Sequence, residues 1–554
     1  MGVRLRLFPA PAPGEAARSA PRGTEISARP GDDLARAIWL SGALPPRPLC
    51  MGLSRCGRCR VRYRRDAPPS LPEEDAVFSP PELADGWRLS CRHGVPAKDG
   101  AGGPLELEVP AEAFAPADAG VSPPVVAPPD AGPVVLGVDL GTTSLQWRAL
   151  ALPSRENGGD ARAGRVLAEG CQLNPQAGAG ADVMSRLAFA RQADGLATLS
   201  GLARAAVRRI AGDLERRGLP PVRICVAANT AMTDIFLGRD VTGLCAAPYR
   251  RSHAGGCLTE LPGLAPVLIP PLPGPFVGGD LSAGLAAMLA AGMPRPFVLA
   301  DLGTNGELAL LTAEERLFLA SVPLGPALEG IGPECGSMAA PGVVTEFRLG
   351  PEGPRPVLFG EQGHGGACGG GHAAGISATG YLSLLVLLCR LGLLDGAGHF
   401  TEAGAHAFPL ARALGRRIER SPAGARLRLP LGLWLSAADV ELLLKVKAAF
   451  AVALEAVCAA GGVAPAAVRC LALAGALGRH ARPADLKELG FAPGVPEGRM
   501  AAVGNAALEG ACLLAARPER LEPLAALCDR AVVLELTEDP AFQQTYLGHM
   551  RLGE

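Results

Sequence analysis

A chain of 554 residues, 48% hydrophobic and 19% charged, is long enough for several core units and too apolar for a disordered protein. Its 53 basic and 54 acidic residues leave a formal net charge of -1, which excludes the global positive field of a nucleic-acid or membrane-surface binder. No stretch holds the roughly 20 uninterrupted apolar residues of a spanning helix, and the start Met1-Gly2-Val3-Arg4-Leu5-Arg6 lacks a signal-peptide core, so the expected location is the cytoplasm.

Residues 1–110 read as a small separate unit. Val3–Phe8 alternates as a strand, Thr24–Ala28 can pair with it, Pro30-Gly31-Asp32 starts a helix to about Gly42, and Leu105–Val109 closes the unit as a further strand. Between helix and last strand, Cys50, Cys56 and Cys59 give C-x5-C-x2-C, and Cys91 follows in Trp87-Arg88-Leu89-Ser90-Cys91. Three clustered thiolates plus one distant ligand suit a [2Fe–2S] cluster, in which each iron takes two cysteines. The rival is a structural zinc site, which more often uses two C-x2-4-C pairs. The other cysteines are scattered singly, as buried small apolar residues are, and disulfides are not indicated.

Arg55, Arg58, Arg60, Arg62, Arg64, Arg65, Arg88 and Arg92 surround this loop in the sequence. They read either as a positive collar steering an acidic flavodoxin or ferredoxin-type electron donor, or as a solvated strand face. Residues 111–133, rich in proline, read as a linker. At ~3.1 Å per residue such a linker spans up to roughly 70 Å and would let the first unit swing between donor and acceptor.

Val134–Leu140 is an apolar run suited to a buried strand, ending in Asp139, Gly141, Thr142 and Thr143. The pattern recurs as Phe297–Leu302 with Asp301, Gly303, Thr304, Asn305, Gly306 and Glu307. One such turn is an ordinary β-turn, but two in matching context suggest two similar half-domains around one ligand. Glycine lets backbone N–H groups approach an anion, threonine adds hydroxyl donors, and Asp139 and Asp301 suit hydrated Mg²⁺. Between the two turns, a helical region opens at Ala181 and runs to about Arg217, Val222–Met232 is a strand ending in a polar pair at a helix start, and Phe276-Val277-Gly278-Gly279-Asp280 opens another helix. Tyr381–Leu394 reads as a buried helix. Val468–Gly478 is a third strand and turn whose Gly475 and Gly478 could seat an adenosine, followed by a helix at Val503–Ala511.

In this order the motifs resemble the acetate kinase, sugar kinase, Hsp70 and actin superfamily over residues 134–554. The first unit resembles the β-grasp ferredoxins, with x5 in place of the plant-type x4. Gly325–Gly330 and Gly375–Gly380 narrow the resemblance to the ATP-dependent reductive activators of corrinoid proteins, which join a ferredoxin unit to such an ATPase core. The implied fold is a multidomain α/β chain: a β-grasp ferredoxin-like domain over 1–110, a linker over 111–133, and a duplicated ribonuclease H-like ATPase core with subdomains 134–295 and 296–554. Family members carry a middle segment before the first phosphate turn, which the direct run of Pro133 into Val134 leaves out here.

The resemblance implies one-electron reduction of cob(II)alamin on a corrinoid protein to cob(I)alamin, coupled to ATP. It gives Cys50, Cys56, Cys59 and Cys91 as iron ligands, with a [2Fe–2S] cluster, ATP and Mg²⁺ as cofactors. Asp139 and Asp301 are the catalytic carboxylates with Glu307, which would orient the attacking water. Gly141, Thr142, Thr143, Gly303, Thr304, Asn305 and Gly306 line phosphate, Gly475 and Gly478 adenosine, and Ser321 and Glu329 could face the partner. The chain could form a homodimer. A small-molecule kinase with a redox-sensing unit, or a nucleotide-regulated electron-transfer scaffold, would use the same turns. His364, Cys368 and His372 in the glycine-rich run 361–374 read as a flexible loop more than a metal site.

Overall fold

The computed structural model describes residues 2–10, 23–45, 54, 57–75, 77–97, 103–111, 132–152, 164–180, 182–303, 305–325, 327, 330, 332–360, 373–402, 408–422, 424–475, 481–536 and 539–553. The chain divides into two compact units, Met1–Ala254 with Leu258–Ile269, and Gly255–Cys257 with Pro270–Glu554.

The first unit begins with strands β1 (Val3–Pro9), β2 (Thr24–Ala28), β3 (Arg60–Tyr63), β4 (Trp87–Leu89) and β5 (Leu105–Val109) and helices α1 (Leu34–Trp39) and α2 (Pro80–Ala84). The sheet runs β2-β1-β5-β3-β4, with β1 and β5 parallel and the other neighbours antiparallel. Asp33 caps α1 by accepting from the Arg36 N–H at 3.0 Å, and Leu34, Ala35, Ile38 and Trp39 join Leu5, Leu7, Val61, Leu89 and Leu107 in the core. The helix stops at Trp39, short of the expected Gly42. Leu40, the next residue, packs instead with Ala179, Val183, Leu187, Leu199 and Ile235 of the following layer. In this structure the small sheet packs against its neighbour within one compact unit. The linker 111–133 lies largely outside the described residues.

That neighbour consists of β6 (Val134–Leu140), β7 (Ser144–Ala151), β8 (Arg165–Leu173), a 3-10 turn (Pro175–Ala179), α3 (Val183–Ala190), α4 (Gly195–Arg216), β9 (Pro221–Ala227), α5 (Thr230–Leu237), β10 (Cys257–Thr259) and β11 (Val267–Ile269). Its sheet order is β10-β11-β9-β6-β7-β8. β6 is antiparallel to β7 and parallel to β9, and its first five residues are all buried, as a central strand covered on both faces requires. The helical region expected from Ala181 to Arg217 is two helices. Between them Asp194 takes a left-handed conformation with φ of 59°, which a continuous α-helix excludes. In α4, Leu199, Ala203, Ala206, Val207, Ile210 and Leu214 form one buried stripe.

The second unit contains α6 (Gly279–Ala290), β12 (Phe297–Leu302), β13 (Asn305–Leu311), β14 (Leu317–Pro323), β15 (Val343–Gly350), β16 (Gly353–Leu358), β17 (Gly375–Ile376), α7 (Ala378–Arg390), α8 (Pro409–Gly415), β18 (Ile418–Ser421), β19 (Gly424–Arg428), β20 (Trp434–Ser436), α9 (Ala437–Gly461), β21 (Cys470–Ala474), β22 (Met500–Gly504), a helix at Ala506–Ala516 and β23 (Val532–Leu534). Its main sheet is β22-β21-β12-β13-β14-β23. The two six-stranded sheets therefore share a five-strand core of the same order: an antiparallel three-strand meander whose first strand is flanked on its other side by two parallel strands. The doubled turn lies after the equivalent strand in each, β6 and β12. α7 is buried from Gly380 to Leu388 and packs in the main core with α9. Among the described residues no helix is long and apolar enough to cross a membrane.

Candidate functional site

In the first unit β6 ends at Leu140 and β7 begins at Ser144, so Gly141, Thr142 and Thr143 are the turn itself. A Cβ at Gly141 would lie 2.9 Å from the Ser144 carbonyl oxygen, which accounts for glycine there. All three carbonyls of the turn are held from one segment. Asn174 Nδ2 donates to the Gly141 carbonyl at 2.7 Å, the Asn174 backbone N–H to Thr143 at 2.9 Å, and the Arg186 guanidinium to Thr142. Asn229 Nδ2 donates to Thr142 Oγ1 at 3.2 Å, while Asn229 Oδ1 caps α5 through the Met232 N–H at 2.9 Å. With its carbonyls bound from behind, the turn is fixed in a form that can present N–H groups to an anion. Asp139 lies two residues before the turn, opposite Gln146.

The second unit makes the same turn shorter, and the register changes its chemistry. β13 begins at Asn305, which puts Glu307 directly across from Asp301, where the first unit has Gln146 across from Asp139. Glu307 is buried, and burial first, then the charges of Asp280 and Asp301, hold its carboxyl well above the usual range. Asn305 donates a side-chain hydrogen bond that partly offsets this. Asp280, in the first turn of α6, accepts from the Leu281 N–H at 2.8 Å and is itself pushed up to about 6 by burial. The Glu307 carboxyl thus lies within electrostatic reach of Asp280 and Asp301, which concentrates negative charge at this end of the sheet. Asp280 as a neighbour of Glu307 was not legible as such. Its signal was a carboxylate directly after Gly278-Gly279 at a helix start. Gly475 closes the strand next to β12 at φ of 81°, and a Cβ there would collide with Asp301 Oδ1 and approach the Leu302 carbonyl oxygen at 2.8 Å. Ser321 lies beside Glu307 on β14. Thr304, Glu329 and Gly478 fall outside the described residues.

Of the four cysteines, Cys59 precedes β3 and Cys91 lies just after β4. Their sulfurs are 3.3 Å apart, too far for a disulfide and close enough for two ligands of one metal atom. The Cys59 carbonyl accepts both the Ser90 N–H at 3.0 Å and the Ser90 hydroxyl at 2.7 Å, which locks the two cysteine-bearing segments together. Cys50, Cys56, Arg55, His364, Cys368 and His372 fall outside the described residues, and among the described residues no group of three or more metal-binding side chains is found.

The arginine collar has a different character from a bare positive field. Arg60 meets Glu82 at 3.4 Å, Arg62 meets Asp85 at 2.8 Å and also Glu108, and Arg64 meets Glu108 at 2.9 Å. Arg65 lies 3.6 Å from Glu106 and Arg92 2.7 Å from Glu73. Arg88 is buried, donating to the Pro68 carbonyl at 2.8 Å, with Glu74 at 4.0 Å. Six of the eight arginines thus face carboxylates, and the surface is a laced ion-pair network of little net field.

Comparison with known proteins places residues 134–295 on the model described as the RACo middle region, and residues 295–554 on that of the C-terminal domain of RACo, the ASKHA domain. The middle segment expected to be missing is therefore present, and begins at Val134 itself. The corrinoid activation enzyme RamQ of Eubacterium limosum is 26% identical over 447 residues, 76% of this chain and 70% of that protein. The [Co(II) methylated amine-specific corrinoid protein] reductase of Methanosarcina barkeri is 26% identical over 298 residues, 51% of this chain and 50% of that protein, so the chain spans about half the length of this relative. The solved structure of a reductive activator for corrinoid, iron-sulfur protein aligns with 100% of this chain and 98% of its own, at a TM-score of 0.64 and 19% identity, a likeness of fold.

Proposed function

The chain belongs to the RACo family of reductive activators, and from that membership we propose that it returns the inactive Co(II) form of a corrinoid protein to Co(I) in an ATP-dependent reaction. The observation that carries this reading is the unbroken run of both RACo models from residue 134 to the C-terminal domain, behind a unit with four cysteines in C-x5-C-x2-C plus Cys91 spacing. The substrate cobalt gains one electron, drawn from an external flavodoxin or ferredoxin-type donor.

We read the N-terminal sheet as a β-grasp ferredoxin domain. Its mixed strand order, the helix α1 packed on it and the 3.3 Å approach of Cys59 and Cys91 sulfurs support that reading. Cys50, Cys56, Cys59 and Cys91 would hold a [2Fe–2S] cluster, which when bound supplies one-electron transfer at low potential.

The two repeated sheets support the reading of residues 134–295 and 296–554 as the halves of one ATPase core. Gly141, Thr142, Thr143, Gly303, Thr304, Asn305 and Gly306 would present N–H and hydroxyl donors to phosphate, and Gly475 and Gly478 would let the adenosine approach. Asp280, Asp301 and Glu307 would hold hydrated Mg²⁺, with Asp139 as the carboxylate of the other half. Burial holds the Glu307 carboxyl above the usual range; a cation beside it would favour the carboxylate, which could then accept a proton from water attacking the terminal phosphate. ATP is useful to the reduction only if its binding changes the affinity for the corrinoid partner, since a ligand with equal affinity for two states shifts neither. A cytoplasmic setting, where unpaired cysteines persist, belongs to this proposal.

The test is anaerobic visible spectroscopy of a corrinoid protein in its Co(II) form, mixed with this protein and a low-potential reductant. Growth of the Co(I) band only with Mg-ATP is the expected result. Normal reduction of the cysteine-bound cluster without any Co(I) band from any corrinoid partner would overturn the reading.

A further inference from the structure

One segment, residues 174–186, has two clients. On one side it holds the turn at Gly141–Thr143: Asn174 binds the carbonyls of Gly141 and Thr143, and Arg186 that of Thr142. Arg186 is 1% exposed, and it also donates to the Gly180 carbonyl at 3.1 Å and to Gln176 Oε1 at 3.3 Å, so the charge is fixed to the 3-10 turn as well as to the anion-facing turn. Gln176 in turn donates to the Leu199 carbonyl at 2.9 Å.

On its other side the same segment receives α1 of the cysteine-bearing domain. Leu40 shares one apolar cluster with Ala179, Val183 and Leu187, and Gly178 is pressed so closely that a Cβ there would lie 3.0 Å from the Leu40 side chain and 3.3 Å from the Trp39 carbonyl carbon. Around this apolar plug, Arg29 Nη1 donates to the Ala193 carbonyl at 2.8 Å, Arg29 pairs with Asp194, and Arg36 lies 6.0 Å from the Phe189 ring. The far end of α1 is tied to the cysteine segment, where the Leu34 N–H donates to the His93 carbonyl at 2.9 Å, two residues past Cys91.

We propose that α1 is a positioning element of the nucleotide site: docked, it clamps residues 174–186 and through them sets the turn at Gly141–Thr143 and the buried Arg186 charge for phosphate. The inference rests on the reading of that turn as a phosphate site. Because a closely packed segment moves as a body, release of Leu40 loosens the donors that fix the turn's carbonyls. Linkage then requires the reverse effect, so that nucleotide tightens the docking of the cysteine-bearing domain by the same factor. Nucleotide turnover would in this way alternate that domain between a held and a released position.

The test uses the full-length, cluster-loaded protein with a non-hydrolysable ATP analogue and Mg²⁺ as the probe. Calorimetry gives its Kd for the native chain, Leu40→Asp and Gly178→Val; hydrogen exchange follows residues 34–40 and 175–190; the cluster's visible spectrum reports the integrity of the cysteine-bearing domain. Both substitutions act on the contact from opposite sides and touch neither cysteines nor the phosphate turn, so Gly178→Val serves if Leu40→Asp fails to fold. The expected result is slower exchange at 34–40 in the native chain on adding the analogue, and Kd raised ~5–30-fold in the variants with the spectrum unchanged. Exchange at 34–40 indifferent to the analogue, or variants that open this contact at unaltered Kd, would overturn the coupling while leaving the nucleotide site intact. A native chain that binds no analogue would instead sink the phosphate reading, and this inference with it.

Discussion

Glu307 is buried within electrostatic reach of two other carboxylates, and the cost is visible in its protonation. Its carboxyl is held well above the usual range, and that of Asp280 is pushed up to about 6, in both cases chiefly by burial. A native carboxyl that keeps a proton which the unfolded chain gives up contributes stability that is complete below about pH 4 and is lost as pH rises through its native value. Glu307→Gln removes the charge without removing the hydrogen-bonding shape. In metal-free, nucleotide-free buffer its Tm should exceed that of the native chain by ~2–4 °C at pH 8, with the gap closing at pH 5. Mg-ATP should then stabilise the native chain and leave the variant almost unmoved. Parallel melting curves at both pH values would show that no strained carboxyl exists there.

At the scale of elements, one hairpin is built twice and given different work. The turn between β6 and β7 is longer than that between β12 and β13, so the strand position across from the aspartate is Gln146 in one and Glu307 in the other. A single register difference thereby concentrates acid in the second unit. β21 closes against β12 at Gly475, where any side chain would meet Asp301 and where φ of 81° already disfavours one. Gly475→Ala should cost about 1–3 kcal/mol locally and weaken Mg-ATP binding about tenfold or more as Asp301 is displaced, read by calorimetry. Unaltered affinity would place the nucleotide away from this strand end.

For the whole molecule, the proposed function puts electron transfer and nucleotide chemistry on different sheets, so their losses should separate. Cys59→Ser should abolish growth of the Co(I) band while Mg-ATP binding persists, because the α1 contact that reaches the phosphate turn uses Leu40 and not the cysteines. Asp139→Ala should keep the visible spectrum of the cluster and lose ATP-dependent activation. Identical losses of both properties in both variants would argue that the chain works as one indivisible site.

The apolar runs of β6, β12 and β21, the doubled turns, the cysteine spacing and the buried helix α7 were all legible in the chain, because each depends on residues close together in sequence. Such local patterns determine strands, turns and caps before any long-range contact forms. Which strand position faces Asp301, that Asp280 joins it, and that Arg186 reaches Thr142 were decided by tertiary structure, since each depends on register or packing between segments far apart in the chain. The arginines near the cysteines show the same division. Their sequence order suggests a positive collar, and only the folded sheet brings Glu73, Glu82, Asp85, Glu106 and Glu108 against them, because strand pairing brings together side chains that the covalent order keeps apart.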